Sequence, residues 1–291
     1  MTRLPLLRTA LVATLLTLLA SCPVGPARAE QAPAPPPLAG SDVHFDYDGL
    51  DVGKPMRAWL GRAFVHRLVA ADPNEPRPLV VFIHGTNAEL IKYRWMGGGP
   101  EGDVRRIVAE LMEAGKIPPT IVAGPSSIDP VAVVNARMSW PDFDLDLFVR
   151  LLAAKLQGIA TIDRTKVIVV GHSGGGCNPK GGLASAVSGK LAPLAALSVD
   201  TCMDPEVGLV LARARPETRV VVSWQTQGWT TRPFDDFTRA FRREVARIAA
   251  PGALRELDHM RVRQPMPHDA MVPLTLQTWL PKLLPPCPES R

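Results

Sequence analysis

An apolar strand signal that runs straight into a glycine–serine turn constrains this 291-residue chain more than any other feature. Val167, Ile168, Val169 and Val170 are followed at once by Gly171-His172-Ser173-Gly174-Gly175-Gly176. Four successive β-branched residues favour extended backbone, and the lack of polar alternation suits a strand buried on both faces. The G-x-S-x-G that follows suits a serine at the tip of a sharp strand-to-helix turn. The strained backbone there needs neighbours without a Cβ on either side. Such a turn leaves the Ser173 hydroxyl above the end of the strand, beside the Gly174 N–H. The pentapeptide alone arises often by chance, and a Gly/Ser turn after a strand is frequently only a turn. Its weight comes from what surrounds it.

Around it, strand and helix signals alternate. Residues 56–65, 78–83, 120–123, 166–170, 195–199 and 219–223 read as strands. Residues 103–113 read as a helix, with Val104, Ile107, Val108, Leu111 and Met112 on one face and Gly115, Pro118 and Pro119 as the stop. Leu145, Phe148, Val149, Leu152 and Leu156 mark a second helix, closed by Gly158. Phe237, Phe241, Val245 and Ile248 stripe a third, stopped by Pro251 and Gly252. This alternation implies an α/β fold with a mostly parallel sheet covered by helices on both faces.

The N-terminus reads as a signal peptide over residues 1–29. Arg3 and Arg8 precede an apolar run over 9–20, too short for a membrane span of about 20 residues. Two processing readings stand. Ala27-Arg28-Ala29 is an A-x-A cleavage site, whereas Leu19-Ala20-Ser21-Cys22 resembles a lipobox in which Cys22 would carry a lipid anchor. Either reading sends the chain out of the cytoplasm, to the periplasm or the medium. Residues 30–40 are a Pro-rich linker, and 41–291 form the domain, whose roughly 250 residues suit a single α/β unit. The formal charge is 33 − 28 = +5, and removing Arg3, Arg8 and Arg28 brings it to +2. Basic residues are scattered, which argues against a nucleic-acid surface.

The run Ile162-Asp163 through Val167-Ile168-Val169-Val170-Gly171-His172-Ser173-Gly174-Gly175-Gly176 resembles the α/β-hydrolase superfamily. Within it, the likeness is to secreted bacterial esterase- and depolymerase-like serine hydrolases, over about residues 56–284. The resemblance implies an α/β-hydrolase fold and a Ser–acid–His triad in that chain order. It also implies no cofactor, no metal, and hydrolysis of a small-molecule or polymeric ester. Ser173 takes the nucleophile's place. His268, in a loop before the last helix, takes the base's place ahead of His259, which sits in a strand-like stretch over 254–262. The acid is less determined. No carboxylate directly follows the strand at 219–223, where Trp224-Gln225-Thr226-Gln227 stands, and Asp235 and Asp236 read as helix N-terminal residues. Asp200, after the preceding strand, is the choice and Asp204 the alternative. The oxyanion N–H groups implied are those of Gly174 and Thr86, or Asn87 in place of Thr86, with His84 structural. A peptidase or amidase on the same scaffold, and a non-catalytic envelope binding protein, are the alternative functions.

One departure concerns Cys177 to Gly182, which interrupts the helix expected after the turn. Asn178 and Pro179 fit the N-cap and first residue of a restarted helix. Of the cysteines left after processing, Cys177 and Cys202 lie just past strand ends and are the preferred disulfide. Cys287 and unpaired buried thiols remain alternatives. Asp46, Asp48, Gly49 and Asp51 read as an acidic turn rather than a calcium loop, and Gly97-Gly98-Gly99 as a loop rim. Trp95, Trp140, Trp224 and Trp229 fall in loops or strand ends, where they either line a substrate pocket or are simply buried.

Overall fold

A computed structural model describes residues 36–46, 59–95, 102–128, 135–227, 232–248, 254–263 and 267–286. Eight strands form one sheet: β1 (Gly40–Asp46), β2 (Trp59–His66), β3 (Pro76–Ile83), β4 (Ile121–Ser127), β5 (Thr161–His172), β6 (Ala195–Val199), β7 (Arg219–Trp224) and β8 (Arg255–His259). The α-helices between and after them are α1 (Arg67–Ala70), α2 (Val104–Glu113), α3 (Leu145–Lys155), α4 (Gly182–Ser188), α5 (Pro205–Ala212), α6 (Phe234–Ile248) and α7 (Pro267–Leu283). The strand order is β1-β2-β4-β3-β5-β6-β7-β8. β2 pairs antiparallel with β1 and β4, and every other pair is parallel. The sheet is therefore mostly parallel, as the alternation implies.

The central strands carry continuous apolar runs where both faces are covered. Leu79 to Ile83 in β3 and Val167 to Val170 in β5 are fully buried. α2 buries Val104, Ile107, Val108, Leu111 and Met112, the face its periodicity marks, and starts on Asp103, whose carboxylate accepts from the Arg105 N–H at 3.0 Å. Two elements exceed what apolar patterning reveals. β1 is an edge strand with only Phe45 buried among its apolar residues, so it carries no apolar run. β5 begins at Thr161, and its first half is polar and largely exposed.

Register sets the site. Ile83 pairs with Gly171, His172 with Val199, and Val199 with Ser223. The turns after β3, β5, β6 and β7 thus emerge side by side at the carboxyl end of the sheet, where open α/β sheets leave a crevice.

Candidate functional site

Ser173 occupies the turn after β5 with φ +50°, a left-handed backbone that non-glycine residues seldom adopt. The turn is packed hard against the end of β3. A Cβ at Gly175 would lie 2.3 Å from the Ile83 carbonyl oxygen. A Cβ at Gly85 would lie 2.7 Å from Ser173 Cβ and 3.1 Å from its Oγ. Only glycine lets the two loops approach so closely. The same closeness brings the Thr86 backbone nitrogen within 3.2 Å of where a Gly174 Cβ would stand, so the N–H-bearing segments of Gly174 and Thr86 adjoin. His84 is buried in the β3 turn. Its Nε2 accepts from the Ser127 N–H at 3.0 Å, which leaves Nδ1 to donate to the Gly85 carbonyl at 2.7 Å. Burial holds the ring well below the ordinary histidine pKa. Its contacts shape the turn, in keeping with a structural histidine.

The helix after the elbow restarts at Gly182, not at Asn178–Pro179. Ser173–Gly176 is a single 3₁₀ turn, and α4 begins with Gly181 as its N-cap. Asn178 instead closes a local turn, its Oδ1 accepting from the Lys180 N–H and its Nδ2 donating to the Ser139 carbonyl, both at 2.9 Å. The Gly182 N–H donates to the Trp140 carbonyl at 2.9 Å. Residues 177–181 therefore bind to the segment at 139–141 rather than extending the helix.

Asp200 follows β6 with φ +44° and a fully buried side chain. Its Oδ2 is hydrogen-bonded to His268 Nδ1 and accepts from Gln225 Nε2 at 3.3 Å. Its Oδ1 accepts from Arg232 Nη1 at 3.2 Å. His268 lies in the first turn of α7 rather than in a loop before it. The buried His172 ring stacks on His268 at 4.7 Å between centroids, and burial keeps its pKa well below the ordinary value. Asp204 has a different task. It caps α5, accepting from the Glu206 N–H at 2.9 Å, and pairs with Arg137 at 2.6 Å. His259 stacks on Trp224 with centroids 5.2 Å apart. Asp235 and Asp236 sit in the first turn of α6, as read.

Ser173 and His268 line one cleft with Thr86, Glu89, Arg94 and Asp269. Arg94 reaches Glu89 at 2.7 Å, and burial raises the pKa of Asp269. Trp95, Trp140 and Trp224 are buried and are not among the lining residues, so they are core rather than pocket wall. Trp140 Nε1 donates to the His84 carbonyl at 2.9 Å, bracing the turn after β3 from behind. Cys177 and Cys202 form a disulfide with 5.1 Å between Cα atoms, joining the turn of Ser173 to that of Asp200. Residues 1–35, Asp48, Gly49, Asp51, Gly97 to Gly99, Trp229 and Cys287 lie outside the described residues. No described helix is long and apolar enough to cross a membrane.

Sequence reading missed Gln225 and Arg232. Gln225 had a signal, since it stands just past β7 where a triad acid is commonest. Nothing in the chain order marks Arg232, which is 32 residues from Asp200.

No family model and no curated protein matches the chain. Solved structures do. A ferulic acid esterase aligns at TM-score 0.55 and 14% identity over 85% of this chain and 99% of its own. The enterobactin esterase of Shigella flexneri aligns at TM-score 0.54 and 19% identity over 87% of this chain but 60% of its own length. An IroE-like serine hydrolase from Shewanella oneidensis aligns at TM-score 0.54 and 14% identity, covering 84% and 80%. At these identities the likeness speaks for architecture, and with the strand order and the elbow after β5 it establishes that this chain has the α/β-hydrolase fold.

Proposed function

We propose that this protein is an exported serine hydrolase that cleaves a carboxylic ester through Ser173, His268 and Asp200. The observation that carries the reading is the bond between His268 Nδ1 and the buried Asp200 carboxylate, at the edge of a cleft that also holds Ser173. A carboxylate on Nδ1 fixes the tautomer that leaves Nε2 to take a proton, and it stabilises the imidazolium that results. Ser173 Oγ attacks the ester carbonyl carbon as His268 accepts its proton. The carbonyl oxygen becomes an oxyanion within reach of the Gly174 and Thr86 N–H groups. Collapse breaks the bond to the leaving oxygen, which takes the proton from His268 and departs as the alcohol, leaving an acyl-enzyme on Ser173. Water activated by His268 then releases the acid and restores the serine.

The chemistry asks nothing of a cofactor. The names of the structural neighbours, esterases and a serine hydrolase, support the ester reading. Export is supported by the N-terminal signal pattern and by a disulfide, which persists in oxidising compartments. The test is p-nitrophenyl acetate hydrolysis with fluorophosphonate labelling. Wild type hydrolyses the ester and is labelled, and Ser173→Ala does neither. Equal rates in the two proteins overturn the nucleophile assignment. A folded wild type that resists labelling and hydrolysis favours a binding protein.

A further inference from the structure

Arg232 is bound to the turn that carries Asp200. Its Nη1 donates to Asp200 Oδ1 at 3.2 Å, to the Asp200 carbonyl at 3.0 Å, and to the Thr201 carbonyl. The side chain is 10% exposed and Asp200 is 0% exposed, so the pair is withdrawn from water. From the end of β7, Gln225 adds a donor to Oδ2. Neither Arg232 nor Gln225 is among the residues lining the cleft with Ser173.

We propose that Arg232, seconded by Gln225, is a positioning residue that fixes the Asp200 carboxylate for His268. This rests on the triad reading above. The two carboxylate oxygens have separate partners, Arg232 on Oδ1 and His268 on Oδ2. That division sets the rotation of the carboxylate about its Cβ–Cγ bond. The turn itself needs holding, because Asp200 has a left-handed backbone and a single guanidinium gathers two of its carbonyls. With the acid just after β6, the residue just after β7 contributes an amide and the loop beyond it a cation that clamp it. Removing the guanidinium leaves a buried carboxylate oxygen without that partner. The favoured response is rotation or withdrawal of Asp200, which loosens its grip on His268. Lysine keeps the charge, but its nitrogen ends one bond short of where Arg232 Nη1 sits, so it holds the same acceptors less well.

The experiment compares wild type, Arg232→Ala, Arg232→Lys and Ser173→Ala on p-nitrophenyl acetate. For Arg232→Ala, kcat falls about 10- to 100-fold with KM near wild type, and added guanidinium at non-denaturing concentration restores part of it. Arg232→Lys falls between the two. A kcat for Arg232→Ala within about threefold of wild type overturns the proposal, as does a loss that guanidinium leaves untouched. If Arg232→Ala does not fold, Arg232→Lys decides: a lowered kcat at unchanged KM supports the clamp, and a wild-type kcat overturns it. Ser173→Ala separates the two levels. Activity retained there sinks the triad itself, whereas its loss beside an unimpaired Arg232→Ala sinks only the clamp.

Discussion

Removing the Cys177–Cys202 disulfide should cost this domain a definite amount of stability. The bond closes a loop of 25 residues that encloses α4 and β6. Cross-linking a chain over that separation lowers the entropy of the unfolded state by an amount worth about 3.5 kcal/mol at room temperature. For a domain of this size, each kcal/mol moves the melting midpoint by about 2–4 °C, so the expected fall is about 7–14 °C. The perturbation is the double variant Cys177→Ala/Cys202→Ala, which leaves no unpaired partner behind. The assay is thermal unfolding followed by circular dichroism, with wild type in the presence of reductant as a second route to the same state. Because Cys177 lies four residues after Ser173 and Cys202 two after Asp200, kcat on p-nitrophenyl acetate well below the melting point should fall as well. A midpoint within about 2 °C of wild type would refute the reasoning. It would mean that Arg232 and the β5–β6 register already confine both turns, and that the cross-link restricts nothing further.

The acid assignment and the acid sensitivity of the fold can be checked in the same preparations. Asp200→Asn should lower kcat on the order of 10³–10⁴-fold. Asp204→Asn should leave kcat near wild type, since an asparagine still caps α5; the reverse pattern moves the acid to Asp204. His84 and His172 are buried and held neutral, with folded pKa values well below the ordinary 6.5. Because the folded value is the lower one, the stability they protect is complete above the unfolded pKa and is lost as pH falls below it. Urea unfolding should therefore show ΔG dropping between pH 6.5 and the folded values, at up to about 1.4 kcal/mol per pH unit for each ring. A ΔG that is flat from pH 7 to pH 5 would show that neither ring resists protonation.

Much of this architecture is legible in residue order because its causes are local. Val167 to Val170 favour a buried strand by their β-branching, and the glycines around Ser173 suit a close turn. The face of α2 follows from its 3.6-residue period. The capping role of Asp204 was within reach as well. Asp204-Pro205-Glu206 is an N-cap followed by proline at the first helical position, a signature of a helix start. β1 escaped because an edge strand with one buried apolar side chain leaves little pattern to read.

What the sequence by itself determined is the scaffold and its sharpest turn: an alternating α/β chain whose Ser173 stands on a left-handed turn after a buried strand. What only the tertiary structure decided is which distant groups meet that turn. Asp200 and His268 are 68 residues apart, and Gln225 and Arg232 reach Asp200 from the segment that follows β7. Their encounter depends on strand order and register, which sum many weak contacts across the whole sheet. No local pattern encodes that sum. The restart of α4 at Gly182 has the same origin, since the hydrogen bonds that hold residues 177–182 come from Ser139 and Trp140, about 40 residues away in the chain.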